Sequence, residues 1–106
     1  IYRSTDGGTS WLQVYATSTA LVRSLCYASD GNVYAGTGGG TADVLVSTDG
    51  GTTWTSAGTL AGATDVHRLL DVNVSGTHYL YAATGPNGDV YRAALSGRGT
   101  QASPSA

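Results

Sequence analysis

Short runs of alternating apolar and polar residues recur along this chain, each bounded by glycine, asparagine or aspartate. Alternation with period two marks a half-buried strand, because successive side chains point to opposite faces. The runs are "IYRS" from Ile1, "ALVRSLCYA" from Ala20, "NVYAGTGGG" from Asn32 and "DVLVS" from Asp43. They continue as "TWTSAG" from Thr53, "DVHRLLDVN" from Asp65, "YLYAATGPNG" from Tyr79 and "DVYRA" from Asp89. Between them stand strong turn signals: Asp30-Gly31-Asn32, Gly38–Gly40, Asp49–Gly51 and Pro86-Asn87-Gly88. The pattern predicts an all-β chain of short antiparallel strands.

The runs repeat in a fixed order. "STDGGTSW" at Ser4–Trp11 returns 43 residues later as "STDGGTTW" at Ser47–Trp54, with seven of eight positions identical. Reading outward, Val22 matches Val66 at a spacing of 44, Tyr34 matches Tyr81 at 47, and Thr37-Gly38 matches Thr84-Gly85 at 47. The extra residues are expected in the turn around "SGTHY". Each unit then reads as four strands, with the octapeptide joining the third to the fourth. Four strands every 40–45 residues or so is the arithmetic of a β-propeller blade.

The octapeptides resemble the Asp-box, or BNR, repeat. The resemblance covers about Ile1 to Ala94. It places Ser4, Asp6, Gly8, Thr9 and Trp11 in the first motif, and Ser47, Asp49, Gly51, Thr52 and Trp54 in the second. Such repeats occur in propellers of sialidases, xyloglucanases, sortilin-type receptors and photosystem assembly factors, so the resemblance implies a fold rather than one activity. The residues suit a structural turn. Gly7-Gly8 and Gly50-Gly51 can adopt φ > 0, and an Asp side chain can accept from backbone N–H groups a few residues on. The Trp is expected to fold its ring over the turn, burying on the order of 200 Å².

Divided by these units, residues 1–19 form the second half of a blade and residues 20–58 a complete blade. Residues 59–94 carry strands one to three of a further blade, with a box at "AALSGRGT" that has lost its Asp and Trp. Residues 95–106 read as a polar tail or linker. A little over two blades cannot close a propeller, which takes about 4–8. The chain is therefore expected to be a mature or excised piece of a longer product, or to assemble with copies of itself as a ring or a filament. The expected partners are other copies or the remainder of a longer propeller, with carbohydrate as a further candidate.

Composition narrows the function. Sixteen glycines, seven tyrosines and the absence of Glu, Lys, Met and Phe fit strands and tight turns, not long helices. Seven Asp against five Arg, with no basic run, argue against nucleic acid as a partner. No apolar run approaches the roughly 20 residues of a membrane-spanning helix. No cofactor motif is present: "GTGGGT" at Gly36–Thr41 lacks the Lys of a phosphate loop.

No catalytic residue is assigned. A sialidase-like tyrosine–glutamate pair cannot form within a chain without Glu. Each box holds one acidic residue, whereas paired glycosidase carboxylates and calcium loops need several close together. Arg3, Arg23, Arg68 and Arg92 lie in or beside strand runs, Arg98 beyond them. His67 and His78 sit on different runs and make no metal site by themselves. Lone Cys26 reads as a small buried hydrophobe. Tyr34 and Tyr81 are candidates for a sugar-stacking face with Tyr27, Tyr79 and Trp54, although their repeat equivalence favours packing. Asn73-Val74-Ser75 is a glycosylation sequon. The expectation is a non-catalytic, secreted or cell-surface module with a structural, adhesive or self-assembling role. The alternatives are a piece of a secreted carbohydrate-active enzyme whose catalytic residues lie elsewhere, or a ligand-binding receptor or assembly-factor propeller.

Overall fold

Glycine and Asp-Gly turns separate nine strands among the described residues. The computed structural model describes residues 1–16 and 21–95. Of the proposed linker at 95–106 only Leu95 is described; Arg98 and most of the proposed third box lie outside the described residues. The strands are β1 Tyr2–Arg3, β2 Leu12–Gln13, β3 Leu21–Tyr27, β4 Val33–Gly38, β5 Asp43–Ser47, β6 Thr55–Thr59, β7 Asp65–Val74, β8 Thr77–Gly85 and β9 Val90–Ala94. There is no helix among the described residues. The strands form three antiparallel sheets: β1-β2, β3-β4-β5-β6 and β7-β8-β9. We call them the first, middle and last sheets.

The repeat is visible in hydrogen-bond register. In the middle sheet Val22 pairs Thr37, and the register then slips by one so that Ser24 pairs Gly36. In the last sheet Val66 pairs Thr84, and the same slip makes Arg68 pair Ala83. The extra residue of each bulge is Arg23 or His67. Each lies over a glycine of the neighbouring strand. A Cβ on Gly38 would strike Arg23 Nε at 2.6 Å, and one on Gly85 would strike His67 Nε2 at 2.8 Å. Here the absence of a side chain is what lets the bulge residue fold back. Equivalent hydroxyls fix the next turn. Thr37 Oγ1 accepts from Asp43 N at 2.9 Å, and Thr84 Oγ1 donates to Asp89 O at 2.8 Å.

The longer spacing of the last unit is not taken up in a loop. After Tyr27–Val33 the middle sheet makes a loop over residues 28–32. After the equivalent pair Asp71–Leu80 the last sheet keeps pairing, through Asn73–His78 to Val74–Thr77. It closes on Ser75 and Gly76 at φ 53° and 90°. Two positive φ values give the turn whose twist matches a hairpin, so the strands extend rather than the loop.

The middle and last sheets pack face to face, with β7 lying across β3 and β4. Tyr34, Val44 and Val46 from the middle sheet meet Val66, Leu69, Leu80 and Ala82 from the last. Each fully buried Val or Leu contributes about 1.5–3 kcal/mol. Gly36 sets the spacing: a Cβ there would stand 2.6 Å from Val66 Cγ1. The first sheet packs on the opposite side of the middle sheet. Ile1, Arg3 and Val14 line a cleft there with Val33, Leu25 and Trp54.

Candidate functional site

The two octapeptides supply the densest polar geometry in the structure. In each, two glycines adopt positive φ: Gly7 71° and Gly8 94°, Gly50 73° and Gly51 95°. That curl brings the serine hydroxyl under the turn. Ser4 Oγ accepts from Gly8 N at 2.8 Å and donates to Asp6 Oδ1 at 2.8 Å. Ser47 Oγ accepts from Gly51 N at 2.8 Å and donates to Asp49 Oδ1 at 2.7 Å. The aspartates reach forward four residues. Asp6 accepts from Ser10 N at 2.9 Å and Ser10 Oγ at 2.6 Å. Asp49 accepts from Thr53 N at 2.9 Å and from the Thr53 hydroxyl.

Sequence reasoning missed Ser10 and Thr53. The motif residues it names there, Thr9 and Thr52, stand one position before the hydroxyls that reach the aspartates. A turn holding two positive-φ glycines brings the fourth residue after the aspartate, not the third, back to its carboxylate. The available signal was that both octapeptides carry a hydroxyl residue at that spacing. Thr52 serves another purpose: its Oγ1 donates to Asp49 O at 3.2 Å and accepts from Arg3 Nη1 at 2.7 Å.

The tryptophan rings close the turns, but not equally. Trp11 Nε1 donates to Gly8 O at 3.1 Å and Trp54 Nε1 to Gly51 O at 2.9 Å. Trp54 is half-buried because the first sheet packs beside it. Trp11 stays 62% exposed. The expected deep burial of both rings therefore does not occur; the local turn fixes the ring's position, and only a neighbouring sheet can cover it.

Hydrogen bonding holds both carboxylates ionised. Ser10, through its hydroxyl and then its N–H, lowers Asp6 to about 2. Thr53 does the same for Asp49, to well below the usual carboxylate range. A saturated, strongly acidic carboxylate is a poor proton donor or acceptor near neutral pH.

A second polar cluster lies at the β3–β4 loop. Tyr34 is 0% exposed, and its phenol donates to Asp30 Oδ2 at 2.6 Å. Asn32 N donates to Asp30 Oδ1 at 3.0 Å. Burial, then the Asp30 bond, pushes the Tyr34 phenol well above its ordinary value. Beside it, Asp71 accepts from Ser29 N and lies 2.7 Å from His78 Nδ1. Burial alone would raise Asp71, but the His78 and Ser29 hydrogen bonds outweigh it and lower its pKa. Cys26, opposite Tyr34 in register, is partly buried, and burial raises its thiol. It is packed against the core and is not an activated thiolate.

Tyr34, a sugar-stacking candidate whose repeat equivalence favours packing, is removed from any such face because β7 covers it and Asp30 holds its hydroxyl. Tyr81 keeps its outer ring face partly open. It meets Tyr79 edge-on at 6.2 Å, and its hydroxyl accepts from Arg92 Nη1 at 3.3 Å. The Arg92 guanidinium lies 4.1 Å from the Tyr79 ring centre, in a cation–π contact. Tyr27 is exposed on β3, away from this group.

The four arginines among the described residues do not share a partner. Arg3 serves Thr52, Arg23 Nε pairs Asp65 at 2.8 Å, Arg92 serves the tyrosines, and Arg68 is exposed on β7. No three metal-binding side chains gather among the described residues. Asn73 is exposed, with Oδ1 accepting from Gly76 N at 2.9 Å. Comparison with family models, curated proteins and solved structures returns no match for this chain.

Proposed function

We propose that this chain is a non-catalytic Asp-box β-propeller module, with each sheet serving as a blade or part of one. It acts structurally or adhesively outside the cell, through contact with further sheets of the same kind. The observation that carries this reading is the equivalence of the middle and last sheets. They share bulge, hydroxyl-pinned turn and register, and they stack face to face as blades do. The octapeptides support a structural role, since their aspartates spend their acceptor capacity within the turn. The weakly charged composition, rich in Ser, Thr and Gly, supports an extracellular setting.

Light scattering after size-exclusion chromatography, with electron microscopy of the same fractions, tests the reading. Discrete rings or fibres of stacked sheets are expected. A folded monomer at all concentrations, or hydrolysis of a glycoside by this chain alone, would sink it.

A further inference from the structure

Among the described residues the middle and last sheets form one extensive face-to-face interface, and both halves of it recur largely exposed, Leu25 meeting the first sheet only along a cleft. Within the chain, the middle sheet offers a face to β7. On it lie Tyr34 and Gly36 from β4 and Val44 and Val46 from β5, all buried. By register, the same positions on the last sheet are Tyr81, Ala83, Val90 and Arg92. None of these is buried, and Val90 is 67% exposed. Beside them Leu70, which pairs Tyr81 as Cys26 pairs Tyr34, is 51% exposed.

The other half is repeated as well. The stripe that β7 lays across the middle sheet includes Leu69, which is buried, and Asp71. At a spacing of 44 the same stripe on β3 holds Leu25 and Tyr27, 57% and 67% exposed. The polar ties of the internal interface change in a consistent direction. Where β7 carries Asp65, bonded to Arg23, and Asp71, bonded to Ser29, β3 carries Leu21 and Tyr27. Uncharged residues at those positions need no charged partner, so no carboxylate is buried there.

Resting on the propeller reading, we infer that the outer face of the last sheet docks the Leu25–Tyr27 stripe of β3 on a second copy of this chain. The contact continues an interface already formed inside each copy. It is heterologous, so it propagates as a ring or a filament. Seated this way, β9 of one copy meets β1 of the next. The two strands carry the same pair, Tyr91-Arg92 and Tyr2-Arg3. Five residues of β9 pair with β8, whereas β1 and β2 pair at two positions. The weaker hairpin yields, and Arg92 takes the place of Arg3 beside Thr52 of the second copy.

Two single-cysteine proteins, both with Cys26→Ser, test the contact. Inside the chain a Cβ on Gly36 would stand 2.8 Å from Val66 Cβ. The matching pair between copies is Ala83 and Val22. Ala83 carries a real Cβ, which moves the pair apart toward the roughly 3.8 Å that a disulfide needs. Val22→Cys protein mixed with Ala83→Cys protein should form a disulfide-linked dimer under mild oxidation, and neither alone should do so. As a second measurement, Leu25→Arg and Arg92→Ala, both at exposed positions, should raise the dissociation constant of assembly at least about tenfold. Arg3→Ala should not weaken it. Assemblies that show no cross-link specific to the mixture, or that ignore Leu25→Arg, overturn this contact while leaving the propeller reading standing. A folded monomer overturns both.

Discussion

Arg3 Nη1 donates to the Thr52 hydroxyl at 2.7 Å, so the strand entering the first octapeptide is tied to the turn of the second. The bond is exposed and, with a longer one from Arg3 Nη1 to Gly50 O at 3.4 Å, joins two sheets that also share a cleft. Thr52→Val should lower stability by at most about 1 kcal/mol, read as a shift in the urea midpoint. Arg3→Ala in the Thr52→Val background should add little more. Full additivity of the two would show that the residues do not act as a pair.

Ser47 and Ser4 hold the same hydrogen bonds in different surroundings. Ser47 is buried, so Ser47→Ala strands the Gly51 N–H away from water and should cost about 1–3 kcal/mol. The Ser4 bond is exposed, and water replaces the lost hydroxyl. Ser4→Ala should cost clearly less. Equal losses in denaturant titrations would contradict the burial difference.

The tryptophans predict a similar asymmetry. Trp54→Ala removes a half-buried ring and should cost about 2 kcal/mol, below the 3–5 of a core aromatic. Trp11→Ala should change stability by under about 1 kcal/mol, and Trp11 fluorescence should be the more red-shifted and more easily quenched of the two. A Trp11 emission blue of Trp54 would place the ring under cover.

Acid should weaken the octapeptides in a definite window. The folded-state pKa values of Asp6 and Asp49 are lowered from an ordinary 3.8, to about 2 for Asp6 and lower still for Asp49. The unfolded chain therefore binds these protons first. Their contribution is complete above pH 3.8 and is lost as pH falls through about 2 and below. Carboxyl NMR titration should show both groups still ionised at pH 3. The pH dependence of stability between pH 4 and 2 should flatten in an Asp6→Asn, Asp49→Asn protein. An Asp6 carboxyl that titrates at its ordinary value would refute the Ser10 bond.

Tyr34 and Tyr81 occupy one repeat position in two environments. Tyr34→Phe removes a phenol that donates to buried Asp30 and should cost about 1–3 kcal/mol. Tyr81→Phe removes an exposed bond to Arg92 and should cost under about 1 kcal/mol. The reverse order in thermal or urea unfolding would mean that the last sheet's outer face is the covered one.

That pair also shows where sequence reasoning stops. "NVYAG" and "YLYAA" align residue for residue, and the alignment places Tyr34 and Tyr81 correctly on second strands. It does not show that Asp30 waits in one loop while the other hairpin extends past that point. Nor does it reveal that β7 covers the first tyrosine and leaves the second open. Ser10 and Thr53 escape the sequence for a related reason: the path of a turn through two positive-φ glycines decides which hydroxyl returns to the aspartate.

The local elements follow from residue order alone: period-two runs, glycine turns and the octapeptide hairpins. Each of these closes its hydrogen bonds within a few residues of chain, so the information is local. Which face of each sheet is buried, how deeply each tryptophan sits and which arginine meets which partner depend on how the sheets pack. Alternation gives a strand two different faces. Which one loses its water depends on what the neighbouring sheet brings against it.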